Sequence, residues 1–288
     1  MNDVGGGGQA AADRPPPCVS TVAPPDIEVR TSGAGATGRF PALGELHVVE
    51  LPHPGYTWPS PVSEPELERM RVESVNVVGR GRVGSAVAAR LEERGVALRE
   101  DDAEIALLCV PDSAIAAAAE CQTLVMSQWV GHTSGATPLT AIPHARRFGL
   151  HPLQTFNRSG DPAQLDGAYA AVTGDNEEAR GVGRALAELL GLTAFDLAEA
   201  DRAVYHAGAA IASNYLVTLH RAASELFEEA GAPPAGLEPL MRRVIGNGFE
   251  LTGPIARGDW ETVERHLAAL RERRPQLEPL YRVLAEAT

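Results

Sequence analysis

The sequence contains no lysine, because all 25 residues counted as Lys+Arg are arginine. A lysine side chain therefore cannot serve here as an acid, a base or a Schiff-base amine. Any proton transfer has to use another group, and histidine is the side chain that titrates nearest neutral pH.

Cysteine is also scarce, with Cys18, Cys109 and Cys121 as its three positions. Three cysteines cannot all pair within one chain, and their spacing is not that of metal ligands. We expect Cys109 and Cys121 to be small buried hydrophobic residues. This cysteine usage favours a reducing, cytoplasmic location and no bound metal.

Long apolar runs and excess positive charge are missing as well. No run approaches the roughly 20 apolar residues that a membrane-spanning helix needs, and the N-terminus has no apolar segment typical of a secretory signal. The formal net charge is −13, which repels phosphate backbones and anionic lipids. Nucleic acid and membranes are therefore not expected partners.

The first part of the chain differs from the rest. Residues 1–68 are rich in glycine and proline and are predicted to be a mostly disordered extension. One segment, Leu46 to Leu51, has strand composition and is followed by Pro52.

From Val72 onward, strand and helix signals alternate. Short apolar strands are predicted at Val75 to Val78, Glu104 to Val110 and Thr123 to Ser127, and a turn at Gly131 to Gly135. Further predicted elements are strands at Arg147 to Leu150, Tyr169 to Thr173 and Ala194 to Asp196, and helices at Val83 to Arg94, Ser113 to Glu120 (capped by Asp112) and Glu177 to Leu190. This alternation predicts an α/β domain with a parallel Rossmann-type sheet over residues 72–197.

After Asp196 only helical patterns follow. They are predicted at Ala200 to Ala230, Leu237 to Leu251, Asp259 to Glu272 and Pro275 to Ala287. The fold class is therefore a Rossmann-type sheet followed by an all-α domain over residues 198–288.

A glycine turn connects the first strand to the first helix. Gly79, Gly81 and Gly84 have the spacing of a dinucleotide-binding turn, in which the backbone approaches a pyrophosphate at the helix N-terminus. Predicted cofactor-binding residues are Gly79, Arg80, Gly81, Arg82, Val83, Gly84, Val110 and Pro111. The alternatives are a glycine loop that only closes a tight corner, and solvated arginines.

Polar residues near the ends of later strands are candidates for a substrate site. Ser134 is predicted to orient a carbonyl, and His151 to transfer a proton. His132 and Gln154 are predicted to contact substrate, although each also has a structural interpretation as a turn or packed-loop residue.

Two segments of the helical region add candidates. His206, Ser213 and Asn214 share one face of the long helix by their spacing, with His206 and Asn214 as catalytic and Ser213 as substrate-binding candidates. Arg257 stands among small residues and suits an anionic group, while Asp259 beside it is explained by helix capping alone.

Five motifs occur in one order: GRGRVG, VPD, HTSG, HPLQTF with SNYL, and LTGPIARGD. Together they resemble a bacterial family of Rossmann-like proteins with a DUF2520 domain, from about Val72 to Thr288. That family is similar to ketopantoate reductase, pyrroline-5-carboxylate reductase and F420-dependent NADP reductases, with a 6-phosphogluconate dehydrogenase-like helical part.

The resemblance implies an oxidoreductase that uses NAD or NADP and forms a homodimer through the helical domain. It implies a cofactor turn at Gly79, Gly81, Arg82 and Gly84, and a substrate cleft at Ser134, His151, Asn214 and Arg257. Several of these relatives use a lysine in the long helix as the acid, and His206 is the nearest substitute here.

The chain departs from the standard pattern after Arg94. Only Gly95 to Ala103 separate the first helix from the next strong strand, and a parallel crossover needs a dozen or more residues. The second strand-helix unit is therefore predicted to be truncated, which weakens Arg99 and Glu100 as ribose-binding residues and leaves the edge at Val75 to Val78 unpaired. Leu46 to Leu51 is a candidate to cover that edge.

Two functions remain open at this point. The first is an NAD(P)-dependent oxidoreductase acting on a small carbonyl or hydroxy-acid metabolite, with NAD or NADP as cofactor. The second is a catalytically degenerate Rossmann protein that binds a smaller nucleotide or metabolite, or acts as an interaction partner.

Overall fold

The computed structural model describes residues 72–121, 124 and 126–288 of the chain. These residues divide into two compact units, 72–206 and 207–288. The candidate strand at Leu46 to Leu51 lies outside the described residues. Within the described part, no helix has the length and apolar character needed to cross a membrane.

The first unit contains a seven-stranded sheet. Its strands are β1 (Ser74–Val78), β2 (Ala97–Leu98), β3 (Ile105–Leu108), β4 (Trp129–His132), β5 (Arg147–Leu153), β6 (Tyr169–Gly174) and β7 (Thr193–Asp196). Their order in the sheet is β2-β1-β3-β4-β5-β6-β7. All neighbouring pairs are parallel except β5 and β6, which are antiparallel. The predicted Rossmann-type sheet is thereby confirmed, with one reversed pair.

Helices pack on this sheet or lead away from it. They are α1 (Arg82–Glu93), α2 (Ile115–Ala119), α3 (Glu177–Leu189) and α4 (Arg202–Ala210), and the division into units falls inside α4, after His206. Short 3-10 helices lie at Asp112–Ala114, Leu139–Ala141, Pro162–Leu165 and Glu199–Asp201. Gly95 ends α1 in the left-handed conformation, at φ 75°, as expected for a helix C-terminus.

The second unit is helical. A π-helix, Ile211–Tyr215, continues into α5 (Leu216–Glu229), and α6 (Leu237–Gly246), α7 (Trp260–Arg273) and α8 (Glu278–Ala287) follow. The predicted all-α carboxyl-terminal part is confirmed. Helix α6 is five residues shorter than predicted, because Gly248 and Phe249 both adopt positive φ angles.

One predicted strand was wrong. The segment Thr123 to Ser127 has strand composition, but β4 begins at Trp129, and the predicted turn residues Gly131 and His132 belong to it. A Cβ on Gly131 would lie 2.4 Å from the Phe148 ring. The glycine is therefore needed for packing inside the sheet rather than for a turn.

The prediction that the edge of β1 is unpaired was wrong at the start of that strand. Ala97 and Leu98 pair with Ser74 and Val75, so this edge is not left unpaired there. The strand is only two residues long and pairs with the start of β1, so six residues suffice to reach β3 without crossing the length of the sheet. The predicted truncation of the second strand-helix unit is confirmed, since no helix lies between Leu98 and Ile105.

Asp112 was predicted to cap the helix that follows it. In the structure the N-cap position of this 3-10 turn is Pro111, and no side chain caps it. By contrast, the Asp259 carboxylate accepts a hydrogen bond from the Thr262 N–H at 3.1 Å and caps α7.

Candidate active site

The parallel strands align several candidate residues at one edge of the sheet. Val78 pairs with Leu108, Leu108 with His132, and His132 with Gly149. The glycine turn after β1 and the segments after β3 and β4 therefore start at the same level. In open α/β sheets this carboxyl edge is where ligands bind.

Gly79 makes the turn after β1 possible. It has a φ of 101°, a conformation that other residues rarely adopt. A Cβ at Gly79 would also lie 2.6 Å from the Cys109 carbonyl oxygen and 3.1 Å from Val110 Cγ1. Any side chain here would push the turn away from β3, so Gly79 joins the turn to the sheet.

Gly84 and Gly81 have different surroundings. A Cβ at Gly84 would lie 1.9 Å from the Gly79 carbonyl oxygen, so this glycine is required for α1 to pack closely on the turn. A Cβ at Gly81 would meet no described atom within 4 Å. Unlike Gly84, Gly81 is therefore not required for packing, and the space beside it at the helix N-terminus is open.

The N-terminus of α1 has the character of an anion site. Gly81 is its N-cap residue, no side chain caps the helix, and its first turn holds no acidic residue. Arg80 and Arg82 are exposed on either side of Gly81, and Val83 packs partly buried against the core. Uncapped N–H groups and two guanidinium groups suit the phosphates of a nucleotide.

The adenosine side of a standard dinucleotide site is reduced. Beyond the two residues of β2, Arg99 donates its N–H to the Val75 carbonyl, and the Asn76 side chain donates to the Glu100 carbonyl at 2.7 Å. Arg99 and Glu100 themselves are exposed. The described residues thus fit a diphosphate at the turn, whereas the strand that would support an adenosine ribose is short.

Val110 and Pro111 follow β3 at the same edge. Val110 is partly buried, within reach of Gly79, and Pro111 is exposed. They offer an apolar surface beside the glycine turn and no titratable group.

The segment after β4 forms a tightly bonded turn. His132 is 0% exposed, and burial, followed by the charge of Arg202, lowers its pKa to about 4. The Ser134 hydroxyl accepts hydrogen bonds from the N–H groups of Ala136 and Thr137 and bonds to the Thr137 hydroxyl at 3.0 Å. The complete burial of His132 and the hydrogen bonds of the Ser134 hydroxyl favour structural roles. The predicted site roles of both residues remain predictions.

Arg202 anchors this turn from α4. Its guanidinium group is buried, donates to the Ser134 carbonyl oxygen at 3.0 Å and pairs with the Glu199 carboxylate at 3.2 Å. The other oxygen of Glu199 accepts from the Leu139 N–H at 2.9 Å. This charge-assisted network fixes the start of α4 against the loops after β4.

His151 lies in β5 and forms a ring cluster with two α4 residues. Its Nδ1 lies 2.7 Å from the Tyr205 hydroxyl, and its ring meets the rings of Tyr205 and His206 edge-on, with centroids 5.5 and 5.9 Å away. A Cβ on Gly135 would lie 2.6 Å from His206 Cδ2 and 2.9 Å from His151 Nε2. The missing side chain of Gly135 therefore lets both imidazoles approach the turn.

The electrostatic setting of His151 favours its neutral form. Burial is the largest effect and lowers its pKa to about 4, with further lowering by His206 and Arg202. Asp112 acts in the opposite direction but does not compensate. Burial also raises the pKa of Tyr205 to about 12.

Gln154 lies just after β5. Its side-chain amide donates to the Gln164 carbonyl at 3.1 Å, and its side-chain oxygen accepts from the Thr155 N–H at 2.8 Å. These bonds order the loop between β5 and β6, and the predicted substrate contact of Gln154 stays a prediction.

The remaining predicted site residues belong to the second unit. The Ser213 hydroxyl donates to the Ala209 carbonyl at 2.7 Å, and Asn214 is exposed within the π-helix, a deformation often found at functional sites. Arg257 is exposed and donates to the Thr252 carbonyl of its own loop. Their proposed roles rest on spacing and on the resemblance.

Two residues near the candidate site were not among the predicted site residues: Tyr205 of the ring cluster, and Arg202, which anchors the turn after β4. Tyr205 precedes His206 and so lies off the helix face that the spacing selected. Arg202 lies four residues before His206, on the same face, and three residues after Glu199, which is an ion-pair spacing. That spacing was the available signal for Arg202.

Among the described residues, no group of three His, Cys, Asp or Glu side chains is placed to hold a metal ion.

The carboxyl-terminal part of the chain matches a known family model. Residues 168–288 match the domain described as Domain of unknown function (DUF2520), which confirms the resemblance predicted from the motifs. The match begins just before β6, so it includes the last two strands as well as the helical unit. No curated protein sequence matches the chain significantly.

Solved structures share the fold at low sequence identity. A candidate NADP oxidoreductase from Bacteroides fragilis is 20% identical, with a TM-score of 0.62 over 75% of this chain and 97% of that one. A Thermotoga maritima protein is 22% identical, with a TM-score of 0.61 over 74% and 95% of the two chains. A reductive aminase from Aspergillus terreus, in complex with NADPH and ethyl levulinate, is 18% identical, with a TM-score of 0.55 over 75% and 93%. These likenesses establish a shared Rossmann-like fold.

Proposed function

We propose that this chain is an NAD(P)-dependent oxidoreductase that acts on a small carbonyl or hydroxy-acid metabolite. The observation that carries the proposal is the pairing of two features at one sheet edge: the open, uncapped turn at Gly81, and the His151–Tyr205–His206 cluster. Three inter-strand steps separate β1 from β5, or about 14 Å. One ligand of dinucleotide size is long enough to reach from the turn toward the cluster.

The residues divide the work in a way that suits this chemistry. The glycine turn, Arg80 and Arg82 would hold the diphosphate of NAD or NADP, and the nicotinamide supplies or accepts the hydride. The chain has no lysine, and we expect His206 or His151 to transfer the proton. The structural neighbours described with NADP or NADPH support this assignment by their fold.

Gly81 offers a sharp test of cofactor binding. Gly81→Ala adds a methyl group where no described atom lies within 4 Å, at a residue with negative φ. We expect the variant to fold as well as the parent chain but to bind NADPH or NADH at least about tenfold more weakly, because the methyl group blocks the approach of the phosphates. Thermal-shift titration measures both, since a ligand at 100 times its dissociation constant stabilises by about 2.7 kcal/mol.

Gly181→Ala is the matched control. Its Cβ also meets no described atom within 4 Å, and it lies in α3, away from the glycine turn. The substitution should leave the affinity for NADPH and NADH unchanged, and it should change the stability of the ligand-free protein only slightly. If neither dinucleotide stabilises the parent chain, the oxidoreductase proposal fails.

The two-residue β2 favours a second candidate function. A Rossmann protein without a full adenosine-side unit suits a smaller phosphate-bearing ligand, such as a mononucleotide or a phosphorylated metabolite. In the same titration, stabilisation by ADP or nicotinamide mononucleotide with none by NADPH or NADH would support this alternative.

We also propose a homodimer formed through the helical unit. Phe249, Leu251 and Trp260 are 70%, 61% and 62% exposed and lie within twelve positions of one another in the sequence. Contiguous apolar surface marks interaction sites in soluble proteins, and we expect these side chains to contribute to one. Sedimentation should give a dimer for the parent chain and a monomer for Trp260→Glu. The exposed Glu272→Gln is the control, and a monomeric parent chain contradicts the proposal.

A further inference from the structure

Tyr205 and His151 form a close polar pair at the carboxyl edge of the sheet. The Tyr205 hydroxyl lies 2.7 Å from His151 Nδ1, and the two rings meet at 84°. This is the distance of a well-formed hydrogen bond. Since β5 holds one partner and α4 the other, the pair has a fixed geometry.

The direction of this hydrogen bond depends on which nitrogen of the His151 ring carries the proton. Neutral imidazole has one donor and one acceptor nitrogen, whereas a phenol can donate or accept. Burial lowers the pKa of His151 to about 4 and raises that of Tyr205 to about 12. At neutral pH the ring is therefore uncharged, and the phenol keeps its proton and can donate it.

The opposite nitrogen faces the turn after β4. His151 Nε2 would lie 2.9 Å from a Cβ on Gly135, and no described residue is hydrogen-bonded to this nitrogen. The groups that act on the ring are His206 and Arg202 on α4 and Asp112 after β3. None of them is hydrogen-bonded to His151, so Tyr205 is the described group that orients it.

We propose that Tyr205 is a positioning residue: its hydroxyl donates to Nδ1 of His151 and thereby keeps the proton of the neutral ring on Nε2. His151 then presents an N–H donor beside Gly135, suited to a carbonyl or hydroxyl oxygen of the substrate. A neutral imidazole that donates a hydrogen bond polarises a carbonyl without carrying a charge. Of the two histidines, His206 is left to transfer the proton.

This inference deepens the proposed function but is tested without a substrate. In protein with ¹⁵N-labelled histidine, long-range ¹H–¹⁵N spectra at pH 7 distinguish the protonated from the unprotonated ring nitrogen. The His151 signals are assigned by their loss in His151→Gln. We expect a proton on Nε2 in the parent chain and a mixture of the two tautomers in Tyr205→Phe.

The helical unit supplies a matched control. Tyr281 bonds to His266 Nδ1 at the same distance, 2.7 Å, with centroids 5.8 Å apart and an angle of 90°. Tyr281→Phe should leave the His151 signals unchanged. A parent-chain spectrum with the proton on Nδ1 overturns the proposal, even if Tyr205→Phe does not fold. An unchanged His151 tautomer in a folded Tyr205→Phe overturns it as well.

Activity gives a second measurement. Once a substrate is found, Tyr205→Phe should lower kcat/KM about tenfold, the size of one lost hydrogen bond, and leave the affinity for NADPH unchanged. If the chain binds no dinucleotide, the proposed function fails while the tautomer measurement still decides the role of Tyr205.

Discussion

The two units of this chain bury their apolar residues to very different extents. In unit 72–206, strand and helix side chains such as Leu107, Phe148 and Leu186 are fully buried. In unit 207–288, Leu237, Val263, Leu267 and Leu270 are the buried apolar residues, while Phe249 and Trp260 are largely exposed. The sheet and its helices bury their apolar side chains against one another, whereas the helices of the second unit leave large apolar side chains exposed.

The largest expected effect comes from truncating one leucine in each unit. Leu186→Ala removes a side chain that is 0% exposed and should lower the free energy of unfolding by about 3 kcal/mol, through lost burial and the cavity left behind. Leu240→Ala, at 56% exposed, should change the stability of the monomer by roughly 0.5 kcal/mol or less. Urea unfolding measures both. Equal losses of unfolding free energy in the two variants would contradict the difference in burial between the two units.

A second expected effect is a loss of stability at low pH that originates in the first unit. Burial lowers the pKa of both His132 and His151 to about 4. Between pH 6.5 and about 4 the unfolded chain binds protons at these positions that the folded chain does not. The free energy of unfolding therefore falls as the pH falls through this window, by about 1.4 kcal/mol per pH unit for the fully buried His132.

Urea unfolding at pH 7.5, 6 and 5 measures this dependence. His132→Gln should remove the contribution of His132, roughly 2 kcal/mol between pH 6.5 and 5, and so flatten the curve. His266→Gln, at an exposed position of the helical unit, should leave the slope unchanged. An equally steep curve for His132→Gln would exclude this residue as the source.

The smallest expected effect concerns helix caps, of which each unit has an example. The Asn176 side chain accepts from the Ala179 N–H at 2.8 Å and caps α3. Asn176→Ala should cost about 1 kcal/mol and leave nucleotide binding unchanged. In the helical unit, Asp259→Ala removes the cap of α7 and should lower stability in the same direction. A change in NADPH affinity in Asn176→Ala would contradict a purely local role.

Local patterns predicted much of the sheet. The run Val75 to Val78, followed by three spaced glycines, defines β1, the turn and α1 without any tertiary information. β4 was misplaced because Trp129 to His132 contains a glycine and a histidine, which are typical of turns. Only the neighbouring strand explains them, since Gly131 lies against the Phe148 ring.

The candidate site was predictable only in part, because it depends on contacts between elements that are distant in the sequence. Helical spacing selected His206, and the predicted strand end at Leu150 selected His151, which in the structure lies within β5. The contact between β5 and α4 that joins the two histidines is tertiary. Tyr205 has no spacing signal of its own, and its importance comes from lying 2.7 Å from His151. Pairing across elements is the information that one sequence does not contain.

The free thiol of Cys109 has a consequence for studying the glycine turn in solution. It is 8% exposed, burial raises its pKa to about 12, and its Cβ lies 3.0 Å from the Cβ position of Gly84. A buried thiol of high pKa reacts only when the surrounding structure opens locally. The rate at which a thiol reagent labels Cys109 therefore reports how often β3 and the turn separate, and a bound ligand that holds the turn closed would slow that labelling.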